Sequence, residues 1–80
     1  MSDELMQRVI RVIAATQHIP VDSIEPDSTF EALKIDSLDG INILFALEGE
    51  FQISIPDDEA KNIRTVRELA EGVEKLIAGA

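Results

Sequence analysis

The sequence predicts an all-α fold: a small four-helix bundle of three main helices and one short helix, with a long first loop. Three observations predict it. Apolar residues recur at three- and four-residue spacing near both ends of the 80-residue chain. Prolines and turn formers crowd the stretch "HIPVDSIEPDSTF". No segment alternates convincingly between apolar and polar residues, and "FQISI" is too short to carry a sheet.

The elements follow in order. Leu5, Val9, Val12, Ile13 and Thr16 fall near one face of a first helix over roughly residues 3–16, with Met6 and Ile10 beside that face and Arg8 and Arg11 pointing elsewhere. Ser2 is placed to cap this helix, and Asp3 and Glu4 suit the positive end of its dipole. The proline-containing stretch then reads as a loop that Ile19, Val21, Ile24 and Phe30 pin to the core, closed by a helical turn at residues 30–34. A second helix starts within "LKIDSLDGINILFALEGEF". Its apolar residues Leu38, Ile41, Leu44, Phe45, Leu47 and Phe51 cover more than one face, so it is either central to the fold or exposes apolar surface for a partner. "DDEAKN" makes one short helix, started by Pro56 or Asp57. Thr65 opens the last helix with capping-box spacing to Glu68, and Val66, Leu69, Ala70, Val73, Leu76 and Ile77 form its core stripe.

Composition narrows the function. Eighty residues make a single domain, residues 1–80, near the lower size at which a core stabilises itself. The absence of cysteine excludes disulfides and thiolate metal ligands and fits a reducing compartment. The opening "MSDELMQRVIRV" is acidic and amphipathic, and no apolar run approaches membrane-spanning length, so neither a signal peptide nor a stable membrane insertion is expected. The net charge of −9 is uneven: residues 1–30 carry −3, residues 31–60 carry −7 and residues 61–80 carry +1. Such a field repels nucleic acid and anionic membrane and attracts basic protein patches.

The central acids frame one serine. Asp36 is a good N-cap, and Asp39 stands three residues on, where it can reach back as the acid of a capping box. Ser37 then occupies about the first helical position, where free N–H groups and the helix dipole favour an anion. That place suits a serine bearing a phosphate ester, although capping alone also accounts for all three residues.

"DSLD" heading an apolar helix, followed by "ALEGEF", "IPDDEA" and "TVRELA", resembles an acyl carrier protein over nearly the whole chain. The resemblance implies that Ser37 is esterified by 4′-phosphopantetheine, transferred from coenzyme A by a phosphopantetheinyl transferase that uses its own Mg²⁺. It supplies the missing thiol from the prosthetic group, which holds acyl groups as thioesters. The carrier itself would be no enzyme. Acyl-loading and acyl-transfer enzymes with basic docking patches would meet it at Asp36, Leu38, Asp39, Ile41, Phe45 and Glu48. Leu44 and Leu47 are assigned to the core. An acyl pocket, where the family forms one, would be lined by Leu47, Phe51, Ile55, Ala60, Ile63 and Leu69. A monomer in a bacterial cytoplasm or an organelle matrix would fit.

The sequence also departs from the fatty-acid carriers. Lys34 stands where they usually have glycine, Asn42 where they commonly show glutamate, and Gly49 interrupts what is usually a run of acids. Gly40 and Gly49 each cost the second helix about 1 kcal/mol relative to alanine. These changes suggest a specialised carrier serving a dedicated pathway. Other classes fit less well. A serine hydrolase needs a base, and the one histidine, His18, lies in the loop with no G-x-S-x-G turn. "DSLDG" lacks the alternating oxygen ligands of a calcium loop, and no basic recognition helix exists for DNA. The remaining alternative is an unmodified acidic helical adaptor or structural subunit.

Overall fold

Hydrophobic periodicity becomes four α-helices in the computed structural model, which describes residues 3–79. They are α1 (Asp3–Gln17), α2 (Ser37–Phe51), α3 (Asp57–Ala60) and α4 (Val66–Ala78), with one 3₁₀ turn at Val21–Ser23. The all-α expectation is borne out: three helices are long, one is short, and no strand forms among the described residues. The cap expected at Ser2 lies outside the described residues.

Helix α1 packs against both α2 and α4. Val9 and Ile13 of α1, Ile43 and Leu47 of α2, and Val66, Leu69 and Val73 of α4 are fully buried where they meet. Each such side chain contributes about 1.5–3 kcal/mol through lost apolar exposure. The buried stripe of α1 is Met6, Val9, Ile10, Ile13 and Ala14, so it is turned relative to the predicted one. Leu5, Val12 and Thr16 lie half-buried along its edge, because α1 must serve two neighbours rather than one. Ile77, expected in the α4 stripe, is 42% exposed near the end of its helix, where it borders a shallow surface pocket with Leu5, Arg8 and Phe51.

The first loop is fixed by backbone bonds to the start of α4. The Phe30 N–H donates to the Arg64 carbonyl at 3.0 Å, Val66 N–H to Ser28 at 3.0 Å and Arg67 N–H to Pro26 at 2.8 Å. Two donors that the first turn of α4 leaves without intrahelical partners are thereby satisfied. The Thr65–Glu68 capping box completes that turn. Of the residues expected to pin the loop, Ile24 is buried and Ile19 and Phe30 are half-buried, whereas Val21 is exposed on the 3₁₀ turn.

One device stops the chain three times. His18, Lys34 and Gln52 adopt left-handed backbone conformations, with φ of 57°, 61° and 55°. In each case the next residue is an isoleucine whose N–H reaches five residues back: Ile19 to Ala14 at 3.1 Å, Ile35 to Phe30 at 2.9 Å and Ile53 to Glu48 at 3.2 Å. These are Schellman-type endings, with the isoleucine packed on the core as the hydrophobic partner. Glycine suits the left-handed position because a Cβ there costs about 1–2 kcal/mol. Lys34→Gly should therefore raise stability by about 0.5–1 kcal/mol after the added unfolded-state entropy of glycine, a gain of a few degrees in melting temperature. Thermal denaturation followed by circular dichroism reads the sign directly, with Lys34→Val expected to move the opposite way.

Candidate functional site

The start of α2 is set by one carboxylate. Asp36 holds extended backbone angles as N-cap, and its Oδ1 accepts the Asp39 N–H at 2.9 Å. The reciprocal bond of a capping box is not made here. Aspartate is one methylene shorter than Glu68, which does close the box on Thr65. Ser37 is the first helical residue, and its side chain is exposed, with no hydrogen bond among the described residues. The first intrahelical bond runs from Gly40 N–H to the Asp36 carbonyl at 2.8 Å. That leaves the Ser37 and Leu38 N–H groups pointing out of the positive end of the helix, a favourable place for an anion.

A cleft of ≈ 510 Å³ opens beside Ser37. Ser37, Gly40, Ile41 and Leu44 form its α2 wall at positions i, i+3, i+4 and i+7. Phe30 and Ile35 of the loop, Ala60 and Ile63 around α3, and Leu69 of α4 close it. The space exists because α1 claims the close packing on α2 and α4, while the opposite side is covered by a four-residue helix and by loops. A Cβ at Gly40 would meet nothing within 4 Å, so the wall next to Ser37 is bare.

Of the six residues named for an acyl pocket, Ala60, Ile63 and Leu69 line this cleft. Leu47 is fully buried in the core, Phe51 packs beneath the Arg8 guanidinium at 4.4 Å, and Ile55 is half-buried in the following loop; none of these three lines it. Gly40 and Leu44 were not anticipated in the lining, though their spacing from Ser37 carries the signal. Leu44, assigned to the core, is half-buried there. Of the charged lining residues, Asp36 adjoins Ser37, whereas Asp57 and Lys61 come from distant sequence and left no local sign. His18, exposed at the end of α1, does not line the cleft. No acid and histidine cluster suited to a metal ion occurs among the described residues.

The six residues expected to meet partners divide. Leu38, Ile41 and Phe45 are exposed by 73%, 47% and 67%. Asp36 is engaged as the helix cap, and Asp39 is half-buried. Glu48 has a structural task that local reading missed: its Oε2 accepts the Ile55 N–H at 2.7 Å, seven residues along the chain, and fixes the loop after α2. At the same end of α2, Glu50 binds the Arg8 guanidinium at 2.9 Å.

Comparison with known proteins agrees with this geometry. The family described as "Phosphopantetheine attachment site" matches residues 7–73. An acyl carrier protein of Rickettsia canadensis is 39% identical over 75 residues, covering 92% of this chain and 87% of that protein. The crystal structure of an acyl carrier protein from Thermotoga maritima superposes with a TM-score of 0.84 at 26% identity, covering 95% of this chain and 89% of that one. The solution structure of the acetyl actinorhodin acyl carrier protein from Streptomyces coelicolor gives 0.70 at 26% identity, with coverages of 99% and 93%. Among the described residues, no helix is long and apolar enough to cross a membrane.

The Glu48 bond yields a test of how the loop is held. Glu48→Ala should lower stability by about 1–2 kcal/mol by leaving the half-buried Ile55 N–H without its charged acceptor. Hydrogen exchange at the Ile55 amide should accelerate roughly tenfold, whereas exchange at Val9 and Ile13 should follow only the global change.

Proposed function

The chain belongs to the acyl carrier protein family, and from that premise we propose that Ser37 bears its 4′-phosphopantetheine arm. Membership makes the chain a non-catalytic carrier of acyl groups with a covalent phosphopantetheine, one that interacts with a phosphopantetheinyl transferase and with acyl-handling enzymes. The place of Ser37 carries the assignment. Its hydroxyl is exposed, lies at the positive end of α2 between two unbonded N–H groups, and borders the cleft. Those features fit a phosphodiester at the hydroxyl and an acyl chain beside it.

Loading would join the Ser37 Oγ to the pantetheine-side phosphorus of the coenzyme A pyrophosphate. The P–O bond from that phosphorus to the leaving adenosine 3′,5′-bisphosphate would break, and the serine proton would pass to the transferase or solvent. When bound, the arm supplies the thiol that holds acyl groups as thioesters. Asp36 keeps Ser37 at the first helical position by capping the helix one residue earlier. Asp36, Leu38, Asp39, Ile41, Phe45 and Glu48 face or flank the partner enzymes. The bare wall at Gly40, with Ile41, Leu44, Ala60, Ile63 and Leu69, shelters an apolar chain.

The pathway we assign is a dedicated one rather than bulk fatty-acid synthesis, with the chain acting as a single monomeric carrier domain in a bacterial cytoplasm or organelle matrix. Lys34, Asn42 and Gly49 support this reading, because each removes acidity or adds positive charge near Ser37 and along α2. Likeness to both a Rickettsia carrier and the actinorhodin carrier is compatible with it.

Incubation with coenzyme A and a broad-specificity phosphopantetheinyl transferase should add one phosphopantetheinyl group, read by intact mass, and Ser37→Ala should abolish it. Asp36→Ala should slow loading by the native transferase several-fold while lowering stability by about 1 kcal/mol. An unchanged loading rate would remove Asp36 from the recognition surface. In an elongation assay with standard synthase enzymes, poor support of full-length acyl synthesis is expected; efficient support would sink the dedicated pathway.

A further inference from the structure

Glycine weakens a helix interior relative to alanine, yet Gly72 stands in the middle of α4. No positive φ calls for it. Among the described residues, a Cβ at Gly72 would meet only the Cδ1 of Ile63, at 3.8 Å. Ile63 is half-buried and stands between two spaces. On one side is the cleft of ≈ 510 Å³ beside Ser37. On the other is a groove of ≈ 450 Å³ between α3 and α4, which Gly72 lines. Ile63 is a wall of both. Asp58, Glu59, Glu68 and Glu71 also line the groove, so it is a poor shelter for an alkyl chain.

We infer that Gly72 determines which cargo this carrier holds: it leaves the space into which Ile63 withdraws, and so admits long straight acyl chains that the resting cleft does not hold. This inference rests on the carrier reading and deepens it. A chain that fills the cleft must displace one of its walls, and a close-packed interior yields only where space lies behind the wall. Ile43 and Leu69 are each 2% exposed and back onto packed core side chains. Phe30 is tied by its N–H to the Arg64 carbonyl at 3.0 Å. Ile63 follows a helix of four residues, too short to be rigid alone, and has the open groove behind it. It is also the one large apolar side chain in that groove, so its withdrawal keeps it against the Gly72 backbone while the chain takes its former place. A side chain at position 72 would stand in the way, since even a methyl group already touches Ile63 in its resting position.

Octanoyl and hexadecanoyl carriers, made from the matching acyl-coenzyme A with a broad-specificity transferase, separate capacity from stability. Cleavage of the thioester by hydroxylamine reads how often the chain is out of the cleft. Gly72→Ala should raise the melting temperature of the unloaded carrier by about 4–8 °C. The same change should accelerate cleavage of the hexadecanoyl thioester at least ~5-fold and of the octanoyl thioester less than ~2-fold, because cleavage follows the population of the exposed state. Gly49→Ala is the control: a Cβ there would meet nothing within 4 Å, so it should stabilise α2 and leave both cleavage rates unchanged. Ile63→Val, which removes the Cδ1 itself, should restore hexadecanoyl protection to the Gly72→Ala carrier. In the wild type, hexadecanoyl loading should shift the Ile63 Cδ1 methyl resonance more than octanoyl loading does.

Equal acceleration of the two thioesters by Gly72→Ala overturns the inference, as does the same effect from Gly49→Ala or the lack of rescue by Ile63→Val. Each of these outcomes leaves Ser37 standing as the attachment site. A wild-type chain that takes no acyl-phosphopantetheine, read by intact mass, overturns the carrier reading and the inference together.

Discussion

The Asp36 carboxylate accepts the Asp39 amide at 2.9 Å, and that bond fixes where α2 begins. A helix turns about 100° per residue, so burial of Ile43 and Leu47 sets the direction of every other side chain. The observed phase sends Ile43 and Leu47 into the core, Gly40 and Leu44 to the cleft wall, and Leu38 and Phe45 to solvent. It also leaves Ser37 as the first helical residue, beyond the cap and before the first closed turn. The exposed serine, the cleft wall and the exposed apolar stripe therefore belong to one helix in one phase. A cap of about 1 kcal/mol is small beside the core, yet it fixes the residue at which the helix starts.

The two sides of α2 are held with unequal firmness. On the α1 side, fully buried aliphatic side chains interlock, and Arg8 ties Glu50 while lying over the Phe51 ring. On the cleft side, α3 is a single turn of four residues, too short to be stable alone. Its flanks depend on half-buried Ile55 and Ile63 and on the Glu48 bond to the Ile55 amide. Local opening is cheapest where few apolar contacts must separate. The wall around the cleft is therefore the part of the bundle that can move without disturbing the α1 contacts.

Legibility in the sequence tracked locality. The Thr65–Glu68 box and the α4 stripe were readable because cap and period both act within one or two turns. The α1 stripe was readable as a helix but not in phase, since two neighbours share its face. The left-handed stops at His18, Lys34 and Gln52 left no sign, because the usual mark is glycine and each carries a polar side chain instead. For Lys34 the family likeness had already noted a glycine elsewhere at that position, and its φ of 61° gives the physical reason. Stapling of residues 26–30 to 64–67, and the commitment of Glu48 to Ile55, join segments that no local pattern connects. The place of Ser37 at the first helical position was legible from the Asp36 cap, whereas the cleft was half legible: Ala60, Ile63 and Leu69 were named, and Gly40 and Leu44 were not.

Net charge and contact surface thus have separate tasks in this chain. An exposed stripe containing Phe45 and Leu38 invites self-association in a neutral protein. A net charge of −9 over the whole chain opposes the approach of like copies at distances of about a Debye length, ~8–10 Å in ordinary salt. Of the acids of α2, Glu48 is engaged with the Ile55 N–H and Glu50 with Arg8. A carrier must be released as readily as it is bound, and release is governed by short-range contacts. Three exposed apolar side chains, Leu38, Ile41 and Phe45, can be covered and uncovered with no buried charge to resolvate.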